Sequence, residues 1–245
     1  MCVGAFFANA HATCDSGLAE RMHAKLHPQR LLNHELAVCQ PWRALPGHAI
    51  VLLPLPRSGS EEEYTEFDLD VLVVQQADNG NTERTAIVSR VFEEKALIHD
   101  AVRLEEIKVD TARYQLASDA RAFGVRAHYR GSARAYPYAS ETLTLYVPRG
   151  PRLVKVLDGL ETSRQRGEWD MQCAGTSQTM RGTLTIGPAA TQGYADIVLR
   201  RMTSRSSSRQ FGEECVKQEE PARFSNVTLR FNGTSYPAPG KAPSD

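Results

Sequence analysis

Glu168 and Asp170, on either side of Trp169, are the carboxylates in this sequence with the least ordinary setting for acid/base chemistry. A glycosidase needs two carboxyl groups about 5 to 9 Å apart across the scissile bond. Linear order does not show whether these two converge, and Trp169 reads more simply as a core or edge aromatic near Cys173. Nucleophilic chemistry has no local signature. The chain lacks a Gly-x-Ser-x-Gly elbow, and none of its 7 histidines sits in a local catalytic signature with Ser, Cys or Asp. His23 and His27 have the one-turn spacing of a two-histidine metal face, with His34 beyond them. Ala24 stands where a metalloprotease helix carries glutamate, and a third ligand is missing. Packing or surface histidines are the favoured reading, with no metal and no cofactor. Asp68, Asp70, Asp78, Asn79, Asn81 and Glu83 surround one turn and have the composition of a calcium loop. Asp68 and Asp70 share a strand face remote from that turn, so solvated strand and turn residues are expected instead.

Two segments suit binding better than catalysis. Tyr129-Arg130-Gly131-Ser132-Ala133-Arg134-Ala135-Tyr136-Pro137-Tyr138 concentrates tyrosine and arginine, the residue types of binding hot spots, in one stretch. Tyr129, Arg134, Tyr136 and Tyr138 are its candidate contacts, although the same side chains could anchor a long connection onto a sheet. Arg200, Arg201, Arg205 and Arg209 form a basic stripe, with Arg201 and Arg205 as candidate contacts for carboxylate or phosphate. Glu213-Glu214 and Glu219-Glu220 follow directly, so neutralisation within the chain is the plainer expectation. The sequons at Asn226 and Asn232 matter only in a host that glycosylates.

The elements that must position these residues are strands. Leu18, Met22 and Leu26 recur at helical spacing behind Asp15 or Ser16 as caps, and Pro28 ends this one short amphipathic helix. After Cys39 the pattern is strand and turn. His48–Leu53 is an apolar strand ended by prolines, and Phe67–Val74 pairs with Thr85–Val88 across an Asn79-Gly80 turn. Glu93–Asp100 suggests a helical turn or two. Thr142–Val147 and Leu153–Leu157 form a second hairpin, Asp158-Gly159 marks a turn, and Thr203–Arg209 reads as an exposed tip or loop. About ten short strands with regular turns and no intervening long helix predict an all-β fold, either an antiparallel sandwich or a propeller-like β meander.

Composition bounds the function. The chain of 245 residues carries 29 basic and 29 acidic residues, 41% hydrophobic residues and a mean hydropathy of -0.40. Zero formal charge argues against a dedicated nucleic-acid binder. No apolar run approaches the roughly 20 residues of a membrane-spanning helix. Residues 1–12 are small and apolar and end in Ala10-His11-Ala12, the ending a signal peptidase reads, so they are taken as a signal-peptide remnant. A single domain is expected over residues 13–236, followed by a disordered tail over 237–245. Removal of the remnant takes Cys2 and leaves Cys14, Cys39, Cys173 and Cys215. Proximity favours Cys14 with Cys39 and Cys173 with Cys215, although four cysteines permit three pairings. Each bridge is worth about 3 to 4 kcal/mol in the loop-entropy account.

These features point to an exported protein, periplasmic or secreted, that binds another protein. An inhibitor or immunity protein blocking a toxic or lytic enzyme fits best. A hydrolase acting on cell-wall or glycan material through Glu168 and Asp170 is the rival, and a structural component of the envelope is the third reading.

Overall fold

The computed structural model describes residues 14, 17–57, 64–77, 81–170 and 172–239, the side chains of 77 and 81–84 excepted. The expected signal remnant, Cys2, the capping residues Asp15 and Ser16, the turn residues Asp78 and Asn79, and the end of the tail from 240 lie outside them. One helix precedes twelve strands: α1 (Leu18–Leu26), β1 (Val38–Pro41), β2 (His48–Pro56), β3 (Thr65–Ala77), β4 (Asn81–His99), β5 (Val102–Ala117) and β6 (Ala120–Gly131) come first. β7 (Tyr138–Arg149), β8 (Arg152–Trp169), β9 (Gly175–Thr191), β10 (Tyr194–Phe211), β11 (Glu214–Glu219) and β12 (Arg223–Leu229) complete the chain. All belong to one sheet that does not close, in the order β1-β2-β3-β4-β8-β7-β6-β5, with β9 joining β8 to β10, and β10 carrying β11 and β12. The protein is all-β, with the expected short helix. Among the described residues the pairings between these strands are antiparallel save one: β4 and β8 run parallel and meet at Arg90 and Arg152, and Tyr236 adds an isolated parallel bridge to Leu157.

Several strands are longer than the sequence suggested, because bulges absorb the residues that break alternation. Glu93–Asp100 is not helical. Residues up to His99 continue β4, whose register against β3 shifts where Lys95 takes a φ of 51°. Asp158-Gly159 is a bulge within β8 rather than a turn, with Gly159 at φ 58° where the register against β7 slips. The turn of this hairpin falls at Gly150-Pro151, within the expected Pro148–Pro151 stretch, where Gly150 at φ 59° joins the paired Arg149 and Arg152. Thr203–Arg209 lies inside β10, and its exposure reflects a sheet uncovered by any second layer there, with the hairpin tip at Gly212.

The sheet folds back on itself, so its faces pack within one continuous layer. In the first core Ile50 and Leu52 of β2 and Phe67, Leu69 and Val71 of β3 meet Leu104 and Ile107 of β5 and Phe123 and Val125 of β6. A second core joins Leu143 and Leu145 of β7 and Leu160 of β8 to Ile197 and Leu199 of β10 and to Tyr236. The third lies beneath α1, where Leu18 and Met22 cover Val51, Leu53, Leu72 and Val74. β2 is thus buried on both faces, which explains its unbroken apolar run.

That third layer corrects the expectation for Asp68 and Asp70. They share a face of β3, but it is the face α1 and its exit cover, and both are buried rather than solvated. Asp68 accepts from Arg30 at 2.8 Å, Arg57 at 2.7 Å and the Lys95 backbone N–H at 2.9 Å. Asp70 binds Arg90 and lies 2.7 Å from His27 Nε2. Two carboxylates at alternate positions of an apolar strand are tolerated because guanidinium groups meet them there. His23 contacts the Arg30 carbonyl at 2.9 Å, so His23 in α1 and His27 just beyond it each bond a group of the fold.

The disulfides are Cys14–Cys39 and Cys173–Cys215, as proximity favoured. The first ties the start of α1 to β1. The second ties the β8–β9 connection to β11.

Candidate functional site

The main cleft opens where β4 and β8 part. The Arg90 N–H donates to the Pro151 carbonyl at 3.1 Å, Arg90 pairs with Arg152, and β4 then continues against β3 while β8 continues against β7. Consecutive residues from Val91 to Ile98 line one wall, because there the strand presents its edge. The opposite wall is one face of β7, with Tyr138, Ser140, Thr142, Thr144 and Tyr146 at alternate positions. Val125, Ala127 and Tyr129 of β6 form the floor, continuous with the first core. The open cleft has a volume of about 850 Å³, at the upper end of the range for ligand sites.

Its polar centre is Glu93. The Tyr146 hydroxyl donates to Glu93 Oε2 at 3.2 Å, and Lys155 Nζ approaches the same oxygen at 3.2 Å and Asp158 at 3.4 Å. Burial pushes the Tyr146 phenol well above its ordinary range, and the Glu93 charge adds to this. For Lys155 burial acts downward, but the carboxylates of Glu93 and Asp158 outweigh it and hold the ammonium above its usual value. A protonated lysine and a neutral phenol therefore persist through the neutral range. Burial likewise raises the Tyr129 hydroxyl, opposed by the Ile98 backbone N–H that donates to it at the β4 edge. Around this centre Glu93, Glu94, Asp100, Asp158 and Glu161 outnumber Lys95 and Lys155, so the cleft favours a cationic group over apolar and aromatic walls.

Two residues expected from sequence, Tyr129 and Tyr138, line this cleft. Arg134 and Tyr136 do not. They lie exposed on the short connection 132–137, which runs alongside β8 through Trp169 N–H to the Ala135 carbonyl at 2.8 Å and Gly167 N–H to the Pro137 carbonyl at 3.0 Å. Arg201 and Arg205 lie on β10. Register nevertheless links Arg205 to the cleft rim, since Tyr138 pairs with Arg166, Arg166 with Gln178 and Gln178 with Arg205 across neighbouring strands. The nearby acids do not pair directly with these arginines. Among the described residues no carboxylate lies within ion-pair distance of Arg201, Arg205 or Arg209, and Glu219 is instead paired with Lys217 at 2.6 Å.

No match to this chain is found among family models, curated proteins or solved structures. The site must be judged on its geometry.

Sequence reasoning missed Glu93, Tyr146, Lys155 and Asp158. The only available signal was the alternation of Tyr138 to Tyr146. Glu93 was hidden by a bulge that mimics helical spacing, and Asp158 by a glycine that mimics a turn. A second polar cluster joins Arg126 to Asp110 at 2.7 Å, to Glu141 and to Thr162, with Tyr114 donating to Asp110 at 2.7 Å. Its members bond one another, and Tyr114 belongs to the second core, as in a structural pillar. Asp170 is also occupied: its Oδ1 accepts the N–H groups of Gln172 at 2.8 Å and Cys173 at 2.9 Å. Those bonds, the Gln172 N–H first, hold its carboxyl below the usual range, the opposite of what a general acid requires. Among the described residues no group of three or more His, Cys, Asp or Glu is placed to hold a metal, and no helix is long and apolar enough to cross a membrane.

Proposed function

We propose that this is an exported binding protein that receives its partner in the cleft between β4 and β7–β8, in the manner of an inhibitor or immunity protein. The observation that carries the reading is the single bridge at Arg90 and Arg152, after which two strands separate and leave an 850 Å³ opening onto the core. A strand edge, three tyrosines and an excess of carboxylates line that opening, which suits a basic side chain presented by another protein. Export is supported by two disulfides, which persist in oxidising compartments.

The test compares native protein with Ser140→Trp, which fills the cleft from a half-buried position, in capture from envelope extracts. A partner retained by the native protein and lost by the variant is the expected result. A partner held equally by both, or none held by the native protein, would sink the reading. Mass spectrometry without reductant tests export separately, and four free thiols or a retained Met1 would count against it.

A further inference from the structure

We propose that the arginine-bearing face of the sheet formed by the ends of β8, β9 and β10 binds a polyanionic chain carrying phosphate or sulfate groups. Arg201, Arg205 and Arg209 recur at every fourth residue of β10 and therefore share one face, about 13 Å apart along the strand. Arg166 of β8 and Arg223 of β12 flank them: Arg166 pairs with Gln178, which pairs with Arg205, and Arg223 pairs with Thr203. Two hollows of 440 and 250 Å³ meet on this face at Arg205, Gln178 and Glu220.

The arginines are prepared for a ligand rather than occupied by the protein. Arg166 is oriented by Gln178 Oε1, which accepts from its Nε at 3.0 Å and Nη2 at 2.7 Å, so a neutral amide positions the charge without cancelling it. Among the described residues Arg201 Nε has no hydrogen-bond partner, so that guanidinium is not committed to a carboxylate of the protein. Thr176, Thr203 and Ser207 stand between the arginines and offer further donors to an oxyanion with three acceptor oxygens. The cations form an array across three strands instead of converging on one point, so the matching ligand is multivalent. Nothing in this site depends on the acidic cleft.

The experiment titrates the protein with long-chain inorganic polyphosphate and with dextran sulfate, against inorganic phosphate and a single-stranded oligonucleotide. Polyphosphate or dextran sulfate should bind, with affinity falling as salt rises, while inorganic phosphate binds far more weakly. Arg205→Ala with Arg223→Ala should weaken chain binding by about tenfold or more, the loss expected for charge-assisted contacts. Glu220→Gln should tighten it, because Glu220 lines both hollows together with Arg205 and its carboxylate repels a polyanion. Ser140→Trp should leave it unchanged, which separates this site from the cleft. Equal binding by native protein and the double variant, equal affinity for inorganic phosphate, or preference for the oligonucleotide would each overturn the proposal. Arg205 and Arg223 are exposed, and among the described residues their side chains have no bonding partner, so an unchanged melting temperature is the accompanying control.

Discussion

The guanidinium of Arg90 grips the carboxylate of Asp70 through two parallel contacts, Nε to Oδ1 at 2.9 Å and Nη2 to Oδ2 at 2.8 Å, with Asp70 0% exposed. The same arginine supplies the only backbone bridge between β4 and β8, so it fixes the point from which the cleft opens. His27 from the end of α1 completes the group. Helix, first hairpin and cleft hinge thus share one ion pair whose carboxylate is fully buried and whose guanidinium reaches solvent. Asp70→Ala should lower stability by about 1.5 to 3 kcal/mol, the range for hydrogen bonds to charged groups, since the freed guanidinium can turn to water. Denaturant unfolding measures this, and an unchanged midpoint would show that the group carries no load.

Acid should destabilise the protein through Asp68 and Asp110. Burial pushes each carboxyl up. At Asp68 the Lys95 N–H, Arg57 and Arg30 outweigh it, and at Asp110 the Tyr114 hydroxyl, the Ala112 N–H and Arg126 do so. Both therefore lie below the ordinary carboxylate range in the folded state. The stability they contribute is complete above the unfolded value of about 4 and is lost as pH falls through the lower folded values. Melting temperature recorded from pH 6 to pH 2 should drop below about pH 4, and Asp68→Asn should flatten that drop while lowering stability at neutral pH.

Tyr236 acts as a clasp on the second core. Its N–H donates to the Val156 carbonyl at 2.7 Å, its hydroxyl donates to the Ala195 carbonyl at 2.6 Å, and its ring packs on Phe231 at 5.3 Å between centroids. Tyr236→Phe should cost about 1 to 3 kcal/mol by orphaning the Ala195 carbonyl. Tyr236→Ala should cost about 3 to 5 kcal/mol by opening a cavity as well. Equal melting temperatures for the two variants would show that the ring contributes nothing.

Reduction of Cys173–Cys215 should act locally. β11 is exposed along its whole length, and Phe211 beside it is 80% exposed, so few apolar contacts hold this end of the sheet. Cys173→Ser with Cys215→Ser should speed amide exchange over residues 206–219 and leave exchange in β3 and β6 unchanged. Uniform acceleration across the chain would instead make the bridge a global staple.

The legible parts of this protein were those encoded by neighbours in sequence. Alternation announced the strands, Leu18, Met22 and Leu26 announced the helix, and cysteine proximity suggested both bridges. Tyr129 and Tyr138 were found because aromatic residues cluster where contacts form. Arg134 and Tyr136 belonged to the same segment yet point elsewhere, since the chain turns between them and the strands they flank.

What sequence by itself determined was the all-β character, the short helix and the choice of residues able to alternate between core and solvent. Tertiary structure alone decided that Asp68 and Asp70 are buried, that Glu93, Tyr146 and Lys155 meet, and that the arginines of β10 escape the acids that follow them. The physical reason is range. Periodicity is a property of adjacent residues, whereas burial and charge pairing depend on strand register and on where one sheet bends. Here bulges at Lys95 and Gly159 set that register, and each imitates a different local signal.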